Sequence, residues 1–98
     1  MQKCAEITMW GRNLSYDDLL WLYNKAVNFG LKGATFFKND GSIKIIAEGA
    51  EENLLFFIKK IKKGRSFFYF FSPIENFSVV WKNAKNDFDD FSISESGE

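Results

Sequence analysis

The feature that most constrains this chain is the order in which its apolar residues change period. Over residues 3–10 the period is two. Ala5, Ile7 and Met9 fall on one side and Glu6, Thr8 and Trp10 on the other, which predicts a half-buried strand. From Ser15 to about Phe29 the period becomes helical, with Leu22, Ala26 and Phe29 on one face and Leu19 and Tyr23 beside them. Ser15 and Asp18 read as a capping pair, Asp17 and Asp18 put acid at the positive helix end, and Gly30 is the natural stop. Two strands are expected next, Ala34–Lys38 and Ser42–Glu48, joined by the hairpin turn Asn39-Asp40-Gly41, with Gly49 ending the second. Glu51–Lys63 is helical again, because Leu54, Phe57, Ile58 and Ile61 recur at i, i+3, i+4 and i+7, and Gly64 closes it. After an aromatic run broken by Pro73, Phe77, Val79 and Trp81 alternate as a fourth strand. Asn83–Asp87 reads as a polar loop, and Phe91 and Ile93 as a short last strand.

The resulting order, β-α-β-β-α-β-β, suits few architectures. Two β-α-β halves joined by a hairpin make the ferredoxin-like split sheet, an α+β two-layer sandwich with two helices on one face of a mainly antiparallel sheet. The 98 residues are one domain's worth, 1–98, and the polar tail 92–98 is expected to fray. A domain of this size buries only about two-thirds of its unfolded surface. The aromatic content of 18% offsets this by supplying bulk for one core layer.

Charge and residue usage then remove whole classes of function. Thirteen basic residues balance thirteen acidic ones, so no global field steers the chain to nucleic acid or an anionic membrane. There is no His, which removes the commonest general base and most zinc sites. The one cysteine, Cys4, excludes an internal disulfide and reads as inert packing. This suits a reducing cytoplasm. No stretch is long and apolar enough to span a bilayer, and an early Glu interrupts any signal-peptide core. Neither a cofactor nor a metal is expected.

Set end to end, the residues resemble the acylphosphatase family. Gly11-Arg12 matches the start of that family's loop after the first strand, and Ala26 the small residue in the first helix. Gly30-Leu31-Lys32-Gly33 matches the helix exit, Asp40-Gly41 the hairpin, and Ala47-Glu48-Gly49 the end of the third strand, without a gap through the hairpin. Trp81, Phe88, Phe91 and Ile93 match the closing strand pair in spacing. The resemblance covers roughly residues 5–93 with one insertion, which falls on Phe67–Phe71.

The resemblance implies hydrolysis of acyl phosphates by two side chains. An Arg ending the loop holds the phosphoryl group, an Asn on the second strand orients water, and backbone N–H groups of the loop cradle the phosphate oxygens. By gapless spacing the Arg position is Leu19 and the Asn position is Phe37, and neither side chain can do that work. The loop equivalent runs through Gly11, Arg12, Asn13, Leu14, Ser15, Tyr16, Asp17 and Asp18. Ser15 and Asp17 stand where the family has Gly, and Asp18 where it has Phe. Two carboxylates where a dianion should dock cost about 1 kcal/mol each in water at about 4–5 Å, and several where solvent is partly excluded. Phosphate binding is therefore expected to be weak or absent. Arg12 reads as a surface cation at a strand end. The alternative is a relocated hydrolase site using Arg12 with Asn13 or Asn39.

Two other constellations stand out. Lys59, Lys60, Lys62, Lys63 and Arg65 precede the aromatic run Phe67, Phe68, Tyr69, Phe70 and Phe71, a pattern that could hold single-stranded nucleic acid or a membrane surface. A solvated helix end whose lysines suit the dipole is the preferred reading, so no strong nucleic-acid signal remains. The aromatic run itself is either a lengthened strand or a patch for a protein partner or for self-association. The acidic pairs Asp17/Asp18 and Asp89/Asp90 do not converge on a metal, since adjacent helical residues point about 100° apart. The expected function is that of a catalytically degenerate acylphosphatase-like domain kept as a binding or interaction module. An active hydrolase and a basic-aromatic surface binder stand as alternatives.

Overall fold

The computed structural model describes residues 2–11, 14–63 and 74–94. Its elements follow the expected order: β1 (Gln2–Gly11), α1 (Tyr16–Asn28), β2 (Lys32–Phe37), β3 (Ile43–Ala50), α2 (Glu51–Lys63), β4 (Ile74–Asn83) and β5 (Phe91–Ile93). The five strands form one sheet in the order β4-β1-β3-β2-β5. Every pairing is antiparallel except β2 with β5, which is parallel. Both helices lie on one face, so the ferredoxin-like α+β sandwich is the fold. Among the described residues no helix is long and apolar enough to cross a membrane.

The register shows why one face is the core. Ala5 pairs with Ala47, Ile7 with Ile45 and Met9 with Ile43, and all six are buried. Paired residues share a face, so the period-two pattern of β1 and the branched residues of β3 make one apolar surface. The helices cover it with Leu22 and Ala26 of α1 and with Leu54, Phe57, Ile58 and Ile61 of α2, all buried. Glu51 and Glu52 lie in the first turn of α2 and Lys60, Lys62 and Lys63 in its last, as the helix dipole favours.

Helix α1 ends as Gly30 predicts. Gly30 takes φ +70°, its N–H donates to Val27 O at 2.9 Å, and Leu31 N–H donates to Ala26 O at 2.9 Å. These two bonds are the Schellman stop. Phe29 is the half-buried cap residue rather than a member of the buried face, and its ring stacks on Phe56 of α2 with centroids 6.4 Å apart.

Several boundaries differ from the expectation. Gly49 does not end β3; the strand continues to Ala50 and runs straight into α2, with Gly49 packed under Leu31 where a side chain would collide. β2 starts at Lys32 and ends at Phe37, because Gly33 pairs with Ala47 and extends the ladder. β4 is longer than the alternation of Phe77, Val79 and Trp81 implied, and Asn83 belongs to it rather than to the following loop. Ser92 and Ile93 are held in β5, and Ser94 N–H donates to Thr35 O at 2.9 Å. Gly64, Arg65, the aromatic run Phe67–Phe71 and Pro73 lie outside the described residues, as do Arg12, Asn13 and residues 95–98.

Candidate functional site

The candidate site forms where β1 hands over to α1, beside the end of β2. A register irregularity at Trp10/Gly11 marks the exit of β1. Leu14 is half-buried against the core. Ser15 has extended backbone angles, φ −131° and ψ 176°, as a helix cap requires.

The capping pair forms. Ser15 N–H donates to Asp18 Oδ2 at 2.7 Å, and Ser15 Oγ–H lies 3.3 Å from the same oxygen. Ser15 O in turn accepts from Asp18 N–H at 3.0 Å and from Leu19 N–H at 3.4 Å. Asp18 is 4% exposed while Asp17 faces solvent, so the two carboxylates diverge as the helical spacing requires. The N–H groups of Ser15, Asp18 and Leu19 are thus engaged by the chain's own oxygens. The positive end of α1 is answered by an internal carboxylate.

Leu19 follows on the first turn of α1 and is 3% exposed. Phe37 closes β2 and is half-buried against the same core. The fold brings the two together: Tyr16, Leu19, Phe37, Ile93 and Ser94 line one cavity of about 370 Å³. β5 supplies Ile93 because its parallel pairing with β2 sets Ile93 opposite Thr35. The walls are mainly apolar. Among the described residues the lining holds no Asp, Glu, Lys or Arg, so these side chains offer neither a fixed charge for a phosphoryl group nor a carboxylate base for water.

Asn39 lies in the hairpin turn, where Asp40 does the holding. Asp40 Oδ1 accepts Ser42 Oγ–H at 2.6 Å and Ser42 N–H at 2.9 Å. Those bonds, the hydroxyl's first, hold the Asp40 carboxyl below its usual range, with Lys38 and Trp10 contributing. Among the described residues no group of three His, Cys, Asp or Glu side chains could hold a metal ion.

One carboxylate escaped the sequence reading. Glu48 is 5% exposed on the sheet face away from the helices. Its Oε2 accepts Lys85 N–H at 3.0 Å and its Oε1 accepts Asn86 N–H at 3.1 Å. It ties down the loop leading to β5 beside a cavity of about 510 Å³ that Lys32, Asn53 and Asp89 also line. Strand alternation marks Glu48 as outward, and nothing local signals that a loop returns to cover it. Cys4 pairs with Glu48 across β1 and β3 and is buried too. Burial first, then the Glu48 charge, pushes its thiol pKa up, which keeps it protonated and inert.

A family model described as acylphosphatase matches residues 19–93, so the match begins at Leu19 and the loop 11–18 lies before it. An acylphosphatase of Caldanaerobacter subterraneus subsp. tengcongensis is 32% identical over 72 residues, covering 74% of this chain and 76% of that protein. The crystal structure of acylphosphatase from Bacillus subtilis superposes with a TM-score of 0.82 at 26% identity, over 96% of this chain and 99% of that one. Full-length HypF, solved in a phosphate- and nucleotide-bound form, superposes with a TM-score of 0.85 at 24% identity. That match covers 98% of this chain and 12% of HypF, a likeness of fold to one part of a larger protein.

Proposed function

The chain belongs to the acylphosphatase family, and from that premise we propose that it is a catalytically degenerate member, retained as a binding or protein-interaction module. The observation that carries this reading is the meeting of Leu19 and Phe37 in one cavity. These are the positions at which the family's phosphate-holding Arg and water-orienting Asn fall by gapless spacing. Their sharing of one cavity supports reading them as a former catalytic pair, and neither side chain can donate to a phosphate or orient a water. Losing preorganised donors of this kind costs several kcal/mol of transition-state stabilisation. The self-capped start of α1 supports the same reading, since Asp18 Oδ2 occupies the Ser15 donor that an anion would use.

The test is hydrolysis of benzoyl phosphate by the natural chain beside the double variant Leu19→Arg/Phe37→Asn. An inactive natural chain supports the reading, and activity gained by the variant supports the assignment of the two positions. Turnover by the natural chain well above background would overturn it. The hydrolase named in the relatives would then be the correct reading, and Arg12, Asn13 and Asn39 would be the residues to replace next.

A further inference from the structure

The sheet edge farthest from Leu19 and Phe37 has a shape of its own. β4 pairs with β1 on one side and, among the described residues, with no strand on the other. It is ten residues long, so it presents a long row of backbone donors and acceptors. The phase of that row is legible. Phe77 N–H donates to Oδ1 of its own neighbour Asn76 at 2.8 Å, so it points away from β1. Residues in step with it, Val79 and Trp81, turn their N–H and C=O groups outward as well.

Exposed edges are commonly blunted by a lysine. The lysine of β4, Lys82, is instead drawn back over its own sheet, with Nζ 3.0 Å from Glu6 Oε2 of β1. Phe77, Val79 and Trp81 pair with Met9, Ile7 and Ala5, which puts them on the helix side. α2 packs over β3 and β1 and leaves this row partly open, with Trp81 43% exposed; on the other face Val80 is 51% exposed.

We propose that β4 is the docking edge for a second copy of this chain, paired antiparallel about a two-fold axis through Val79. The strand's own sequence argues for a copy of itself over a foreign strand. An axis there sets Val79 against Val79 of the partner subunit and Phe77 against Trp81 of the partner subunit, the aromatic pair occurring twice. On the other face it sets Ser78 against Val80 of the partner subunit and Asn76 against Lys82 of the partner subunit. No like charges meet in these pairs. The residues that exchange backbone bonds are those whose N–H groups already point outward, and a partner carbonyl replaces Asn76 Oδ1 on Phe77 N–H. An axis through Ser78 would break both aromatic pairs. The inference goes beyond the proposed function, because it concerns the opposite edge of the sheet and holds whatever the cavity at Leu19 does.

Sedimentation velocity of the full chain over a wide concentration series tests it, with circular dichroism to confirm that each variant is folded. A concentration-dependent dimer is expected, lost in Val79→Lys, which opposes two cations at the axis, and kept in Val79→Thr. Mild oxidation of Val79→Cys should give a disulfide-linked dimer, whereas Val80→Cys should not. The native Cys4 is buried and adds little background. The crosslinking pair decides the matter if Val79→Lys fails to fold. A monomer throughout the series, a dimer that survives Val79→Lys, or equal crosslinking at Val80 would overturn the proposal.

Discussion

Asp18 Oδ2 accepts the backbone N–H of Ser15 at 2.7 Å, so α1 opens on an anion that belongs to the chain itself. Asp18→Ala should therefore do two things. It should lower stability by about 1–2 kcal/mol, the usual worth of a helix cap and of a hydrogen bond to a charged group. It should also free a donor and remove a repelling charge. Inorganic phosphate should leave the melting temperature of the natural chain unchanged and raise that of the variant. A phosphate-dependent rise in the natural chain would count against the internal-anion account.

Gly33 is irreplaceable for a backbone reason. Its φ is +143°, and a Cβ there would overlap the carbonyl oxygen of Ile46, a backbone atom in the centre of the sheet that cannot step aside. Gly33→Ala should destabilise by about 3 kcal/mol or more, strain and overlap together. Gly41, at φ +86° in the hairpin turn, has open space around it, so Gly41→Ala should cost about 1 kcal/mol. Urea denaturation of the two variants side by side checks the ranking.

Glu48 holds the loop before β5 through Lys85 and Asn86, and that loop also supplies Asp90 O, which accepts Gly33 N–H at 2.9 Å. Glu48→Ala should cost about 1–3 kcal/mol and speed amide exchange at Lys85, Asn86 and Gly33 together. Glu48→Gln keeps one acceptor and should retain part of the protection. Unchanged exchange at Gly33 in the Ala variant would show that the loop stands without Glu48.

Glu6 links β1 to both neighbouring strands, with Lys82 Nζ at 3.0 Å and Lys44 Nζ at 3.3 Å. The Lys82 contact most of all holds its carboxyl below the ordinary value of 4.5. A carboxyl depressed in the folded state adds stability that is fully present above 4.5 and is lost as pH falls through the lower folded value. Glu6→Gln should flatten that acid limb while leaving the rest of the profile in place. Urea midpoints measured from neutral pH down through the acid range, for both chains, give the comparison.

Much of this architecture could be read from the chain. The bounds of α2 and its four buried residues follow from spacing alone, as do the capping pair at Ser15 and Asp18 and the stop at Gly30. These features depend on neighbours within one turn of helix, where sequence separation and spatial separation agree. The end of β3 at Ala50 is not legible in this way, for the opposite reason. A glycine usually punctuates, but Gly49 is small because Leu31 packs on it from another part of the chain.

The same division runs through the candidate site. The fold class, the family resemblance and the start of α1 were all legible in the order and spacing of the residues, and so was the expectation that singled out Leu19 and Phe37. What needed the assembled fold is that Leu19 and Phe37 share a cavity, that β5 adds Ile93 to its wall, and that Glu48, on the outer face of the sheet, is covered by a loop rather than wet. Periodicity reports which side of its own element a residue occupies. It carries no information on which distant element comes to lie there, because that is settled by strand order, the parallel return of β5 and the path of the loop before it.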